Sequence, residues 1–343
     1  MYPETKTIIE KKQRSGVFPG AVFSFAEEQQ EETVVFGYAE IEPEIRQMKK
    51  DYLFDVASLT KVVCTTTVML HLQEKKRLFW DDSLKSHLPE FVDPTITLRH
   101  LLTHTSDIQM YISNRDRLNQ QELIAAYLKL HGGKKIGKTV KYTDAGTILL
   151  GFLIEKMYQK KVIDVFQDVV LTPLHMNDSL FLPKAPYDRI VPTEKLANGT
   201  ILKGITHDPK ARVLAEHAGN AGLFSNLKDL NRFVRMYLDQ GEISGYPYLQ
   251  GQTIFNLLKD QTPTKTGGRS IGWDLKYSSL DKQPLLFHTG YTGTFLLIDP
   301  IKQSAFVFLS NRVHPKDFRA EYVKHRDEIL TVYLNERAKL YHK

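Results

Sequence analysis

Hydrophobic and polar positions change period twice along the chain. Gly20-Ala21-Val22-Phe23-Ser24-Phe25-Ala26 and Thr33-Val34-Val35-Phe36-Gly37-Tyr38 are rich in apolar, β-branched and aromatic residues. A Glu/Gln-rich stretch separates them, which predicts two strands joined by a polar turn. The middle third then takes helical spacing over residues 97–103, 120–130 and 144–158, with Asn119 and Thr143 as N-caps. Strands return over residues 270–277, 284–288, 294–298 and 305–310, and Asp299-Pro300-Ile301-Lys302-Gln303 reads as a turn between the last two. A closing helix is expected over residues 316–337, with Phe318, Tyr322, Ile329, Val332 and Tyr333 on its apolar face. Strands at both ends around a helical middle predict an α+β domain that holds an inserted helical domain. No internal repeat or low-complexity tract interrupts the pattern.

Composition narrows the reading. At 343 residues and 42% hydrophobic, the chain can bury a large core, in one big domain or two intimate ones. A charged fraction of 25% with 18 Phe and 16 Tyr excludes disorder. The net charge of +6 is modest for this length, and its lysines cluster at Lys134-Lys135, Lys138, Lys141, Lys156 and Lys160-Lys161. These read as solvated loop and helix faces, so no nucleic-acid partner is expected. The single Cys64 excludes an internal disulfide and, among Val62, Val63 and Thr65, reads as buried filler. The stretch Met1-Tyr2-Pro3-Glu4-Thr5-Lys6 has no signal-peptide apolar region, and no window reaches the ~18–20 apolar residues of a spanning helix. A cytoplasmic protein without a membrane span is expected.

Candidate chemistry rests on choosing among repeated short motifs. Ser-x-x-Lys occurs at Ser58-Lys61, Ser225-Lys228 and Ser279-Lys282. Ser225 precedes Leu227, Leu230 and Phe233 and reads as a helix N-cap whose hydroxyl is spent on backbone amides. Ser279 lies in a polar stretch that reads as a turn. Ser58 instead ends the extended run Phe54-Asp55-Val56-Ala57 and begins a long helix through Leu72, where residues i and i+3 share a face. The positive end of that helix favours an oxyanion forming beside the hydroxyl. Tyr142-Thr143-Asp144 sits where a Lys-rich loop meets a helix, a place that can present a phenol into a cleft. The comparable triplets Tyr333-Leu334-Asn335 and Lys265-Thr266-Gly267 have the wrong surroundings, a helix interior and a loop. His288-Thr289-Gly290 follows Leu285-Leu286-Phe287 and precedes Tyr291-Thr292-Gly293, a strand edge with small residues that permit close approach of a substrate.

With Thr97-Leu98-Arg99-His100-Leu101-Leu102-Thr103-His104-Thr105-Ser106 and Gly219-Asn220-Ala221-Gly222-Leu223-Phe224-Ser225, these motifs resemble the serine β-lactamase and penicillin-binding-protein superfamily, in its class C-like branch of cytosolic esterases and D-alanyl peptidases. The resemblance implies a β-lactamase/transpeptidase-like fold, an antiparallel sheet flanked by helices. Residues 1–85 and 206–343 would form the sheet domain and residues 86–205 the inserted, mainly helical one, with the site between them. It implies a serine hydrolase that forms an acyl-enzyme on Ser58, without a cofactor or metal, on a small ester, D-amino-acid peptide or β-lactam-like substrate. Lys61 and Tyr142 would share the proton work, the lysine brought into range by a pKa lowered through burial beside the phenol. The resemblance places the oxyanion hole at the backbone N–H groups of Ser58 and Tyr291, and substrate binding at Asp144, His288, Thr289, Gly290 and Tyr291.

Four positions depart from the family pattern. His288 stands for the usual Lys, which predicts carboxylate recognition that strengthens below pH ~6.5. Asp144 stands for Asn, which argues against efficient β-lactam turnover. Asp107 replaces a usual Gly and is read as altering a turn, and Asn220 replaces a common His and is read as a loop polar residue. Two other classes stay open. A zinc hydrolase could use His100 and His104, spaced i, i+4, although Leu101 stands where the metalloprotease motif has Glu. A catalytically silent protein could capture a peptidoglycan fragment without turning it over.

Overall fold

The computed structural model describes residues 1–277 and 282–341. Seven antiparallel strands form one sheet in the order Arg46–Gln47, Gln30–Glu40, Gly20–Glu27, Ser304–Ser310, Thr294–Asp299, Pro284–Gly290 and Asp274–Tyr277. The two ends of the chain meet in its middle, where Ala21 lies opposite Ser310 and Phe25 opposite Phe306. Successive side chains point to opposite faces of a strand, and here both faces are covered. Phe23, Phe25, Phe295, Phe306 and Phe308 pack with Ile9, Ile329 and Tyr333 of the terminal helices Pro3–Arg14 and Arg319–Tyr341. Val22, Leu296, Val307 and Leu309 face a larger core with Val62, Leu149, Leu153, Leu230 and Phe233. Double coverage is why these strands read as apolar runs rather than clean alternation.

Helix Ala145–Tyr158 is buried along its first ten residues, 145–154, and packs in that same larger core. A small sheet of Phe54–Asp55, Leu223–Ser225 and Leu180–Phe181 lies where the serine is approached. Among the described residues, no helix is long and apolar enough to cross a membrane.

Some expected boundaries move for local reasons. The strand expected from residue 270 begins at Asp274, because Gly272 adopts φ +78° and its N–H reaches Leu102 O at 3.0 Å. Ser225 ends a strand instead of capping a helix: its Oγ lies 2.8 Å from Ser179 Oγ, and Asn226 caps by accepting Asp229 N–H at 2.9 Å. Thr143 does not cap either. The helix starts at Ala145 with Asp144 in the cap position, and the Asp144 side chain makes no cap bond. The closing helix starts at Arg319, leaving Phe318 exposed before it. The turn expected at Ser279 lies outside the described residues.

Candidate active site

The serine is presented by a tight, pinned turn. Asp55 is buried, and its two carboxylate oxygens accept Ala57 N–H at 2.8 Å and His207 N–H at 2.7 Å. That holds Ala57 at φ +48°, in the left-handed region, immediately before Ser58. The following helical segment opens with a π-turn at Lys61–Thr66 before Thr67–Glu74 continues as α-helix. Such turns occur often at functional sites.

Lys61 is 1% exposed, and its Nζ reaches Ser58 Oγ at 2.7 Å, Asp144 Oδ1 at 2.8 Å and Asn220 O at 3.1 Å. Three acceptors match the three protons of an ammonium. Burial opposes its charge, but the attraction of Asp144 and Tyr142 outweighs burial and holds Lys61 above its ordinary value. The expected lowering of the lysine is therefore overturned, because the carboxylate that replaces the family's amide is its counter-ion. Burial likewise opposes the charge on Asp144, yet Lys61 and Lys210 hold it well below the carboxylate range.

Tyr142 is 45% exposed and lines a cleft of about 300 Å³ with Ser58, His288, Gly290, Tyr291 and Arg269. Its ring centre lies 5.2 Å from Lys61 Nζ, 5.7 Å from the Arg269 guanidinium and 4.5 Å from the His104 ring.

The strand Pro284–Gly290 ends against the serine turn. Thr292 Oγ1 donates to Asp55 O at 2.6 Å and Thr294 Oγ1 to Val56 O at 3.2 Å. A Cβ on Gly290 would stand 2.3 Å from Val56 O and 2.1 Å from Thr294 Oγ1. The N–H groups of Ser58 and Tyr291 flank this contact, and neither donates to an acceptor among the described residues. Gly290→Ala is expected to lower kcat by about 100-fold or more, by prising the strand from the turn and displacing the Tyr291 N–H beside Ser58. Steady-state kinetics beside a melting curve measures it, and an Ala variant of near-normal kcat would contradict the packing argument.

His288 is not the titrating cation the sequence suggested. It is 3% exposed with Nδ1 3.0 Å from Thr289 O. Burial, reinforced by Lys61 and Arg269, pushes its imidazole well below the ordinary range, so it is neutral near pH 7. Asn220 is a loop residue, as expected, but a fully buried one. Asp107 shapes a turn at φ +47° and accepts Lys135 N–H at 3.0 Å. His100 Nδ1 accepts Thr97 N–H at 3.2 Å, and His104 Nδ1 accepts Thr143 N–H at 3.4 Å. Among the described residues no group of three or more His, Cys, Asp or Glu could hold a metal ion, so the zinc alternative gains no support.

The motif reading missed Arg269, Lys210 and Asp208. Asp208-Pro209 is a visible helix start, but nothing local in the sequence ties Lys210 to Asp144.

Fold and site together define a serine hydrolase of the acyl-enzyme type. The beta-lactamase family matches residues 5–329, and the chain belongs to it. The chain is similar to penicillin-binding protein 4* of Bacillus subtilis (strain 168), 25% identical over 328 residues covering 86% of this chain and 68% of that protein. Among solved structures it resembles a beta-lactamase/D-alanine carboxypeptidase from Pseudomonas syringae, at TM-score 0.76 and 18% identity over 95% of this chain and 97% of that one. It also resembles EstCE1, a hydrolase with promiscuous acyltransferase activity, at TM-score 0.75 and 18% identity, covering 95% and 97%.

Proposed function

We propose that the protein hydrolyses small acyl substrates bearing a carboxylate, short D-amino-acid peptides or esters, through an acyl-enzyme on Ser58. The cleft lies between a sheet lobe of residues 1–85 and 206–343 and a helical lobe of residues 86–205. The observation that carries the reading is the fixed Lys61 ammonium 2.7 Å from Ser58 Oγ. An ammonium held by a carboxylate cannot serve as the base, so the proton work falls to Tyr142. Lys61 Nζ and the Arg269 guanidinium lie 5.2 and 5.7 Å from its ring centre. Tyr142 takes the Ser58 proton as Oγ bonds to the substrate carbonyl carbon, and the carbonyl oxygen gains charge between the Ser58 and Tyr291 N–H groups. The bond to the leaving group then breaks, and Tyr142 returns the proton to the departing nitrogen or oxygen. Water repeats the cycle on the ester and frees Ser58. The names of the relatives, a penicillin-binding protein and a D-alanine carboxypeptidase, agree with this substrate class.

Arg269 supplies the cation that His288 lacks. It is 5% exposed, lines the cleft, pairs with Asp274 through Nη2 at 2.9 Å, and keeps a buried Nη1 without a partner among the described residues. A substrate carboxylate would satisfy that orphan donor. Arg269→Gln is expected to lower the kcat/KM ratio of a carboxylate-bearing ester over its neutral analogue by about 10- to 100-fold. Since His288 takes up a proton only well below its ordinary range, the wild-type ratio should stay flat from pH 5.5 to 8. A ratio that climbs several-fold below pH 6.5 would return the role to His288.

The test of the reaction itself is an intact-mass time course with a penicillin and with an activated ester, run beside Ser58→Ala. A mass increment on the wild type alone supports the reading. Turnover of both substrates by Ser58→Ala would sink it.

A further inference from the structure

Behind the lysine lies a closed ring of polar contacts that none of the motifs announces. Asp144 Oδ1 takes Lys61 at 2.8 Å, and its Oδ2 takes Lys210 Nζ at 3.1 Å. Lys210 Nζ also meets Asp208 Oδ2 at 2.8 Å. The other Asp208 oxygen accepts Ala211 N–H at 2.8 Å, capping helix Pro209–Leu214, and Asn220 Nδ2 at 3.3 Å. Asn220 O accepts Lys61 at 3.1 Å, which closes the ring. Two lysines alternate with two carboxylates in it. Lys210 is 13% exposed at its side chain, so its charge is poorly screened.

The chemistry of the swap at position 144 explains why a second lysine is needed. A neutral amide beside Lys61 would accept a hydrogen bond and add no net charge. A lone carboxylate would add a full negative charge to a buried site and draw Lys61 away from Ser58. A carboxylate shared with another ammonium does neither. We infer that Asp144 and Lys210 act as one unit, with Lys210 the positioning residue that neutralises Asp144 and leaves Lys61 directed at Ser58. This rests on the reading of Ser58 as nucleophile. It predicts opposite effects for the two halves of the pair. Losing Lys210 leaves the site one unit more negative, which holds a proton on Tyr142 more tightly and disfavours the negative charge that develops on the substrate carbonyl oxygen. Losing the Asp144 charge leaves it one unit more positive, which loosens that proton and favours the developing negative charge while costing Lys61 its anchor. The other charged or titratable groups facing Lys61 and Tyr142 are His104, His288 and Arg269, the last paired with Asp274. They are common to every variant and cancel in the comparison.

The experiment is the pH profile of kcat/KM on a chromogenic p-nitrophenyl ester for wild type, Lys210→Met, Lys210→Arg, Asp144→Asn and the Asp144→Asn/Lys210→Met double variant. Lys210→Met should lose about 10- to 100-fold and move the acid limb up, since a site one charge more negative holds a proton more tightly. Asp144→Asn should move the limb down, Lys210→Arg should restore most of the rate, and the double variant should recover the wild-type limb. Circular dichroism and melting curves identify any variant that fails to fold, and the Arg and double variants then carry the test. Losses that simply multiply in the double variant, or limbs that do not move, overturn the inference. Turnover of penicillin and ester by Ser58→Ala in the mass experiment would instead overturn the reading beneath it.

Discussion

Ser58→Ala is expected to lower kcat/KM by about ten-thousand-fold or more, Lys61→Met to do nearly the same, and the double variant to be no slower than either alone. Residues that act as one catalytic unit lose their whole contribution when any member goes, so single losses do not multiply. The unit here is physical: one proton of the Lys61 ammonium is spent on Ser58 Oγ at 2.7 Å, and the other two fix the head group on Asp144 and Asn220. Without the ammonium, the hydroxyl loses its orientation and Tyr142 loses its nearest cation. Removing one member of a buried pair also costs stability, about 3–5 kcal/mol. Lys210 remains on Asp144 and softens that cost. Single-turnover kinetics at a temperature well below each variant's melting point separates lost chemistry from lost fold. A double variant whose loss equals the product of the single losses would mean that serine and lysine work independently.

The parts of this site legible in the sequence are those that short spacing controls. Ser58 and Lys61 lie within one helical turn, and Tyr142 and Asp144 flank a helix start, so their chemistry shows in consecutive letters. The strand edge at His288-Thr289-Gly290 is legible too, since its apolar run and small residues are local. The rest depends on contacts between distant segments. Lys61 and Asn220 are 159 positions apart, and only the folded chain sets Asp144 between Lys61 and Lys210. Arg269 lies in a loop whose expected strand starts late, and only the folded chain brings it over Tyr142. Charge states were the least legible. The usual tendencies predict a lowered Lys61 and a titrating His288. The fold reverses the first by supplying a counter-ion and the second by burying the ring beside two cations. Propensity also yields to function at residue 144, where the carboxylate serves two ammoniums and leaves the helix N-terminus without a side-chain cap. That conflict between local preference and observed contact marks the site as clearly as the motifs do.

Tyr142→Phe separates the two candidates for the base. The substitution removes one oxygen and keeps the ring, so the ring contacts with His104 at 4.5 Å and with Lys61 at 5.2 Å should survive, and KM should change little. If Tyr142 carries the proton, kcat should fall by about 100- to 10,000-fold, the usual worth of a positioned acid or base. Acylation and deacylation should slow together, because the same oxygen serves the leaving group and the attacking water. The remaining activity should rise with hydroxide concentration and lose the plateau of the wild-type profile. If Lys61 were the base instead, the Phe variant would keep most of its rate at high pH, where an ammonium gives up its proton. The geometry argues against that outcome, since Asp144 sits 2.8 Å from the same nitrogen and raises the cost of that loss. A pre-steady-state burst with an activated ester reports acylation and deacylation in one trace. A Phe variant with an intact burst and slow turnover would confine Tyr142 to deacylation and require a different acceptor for the Ser58 proton.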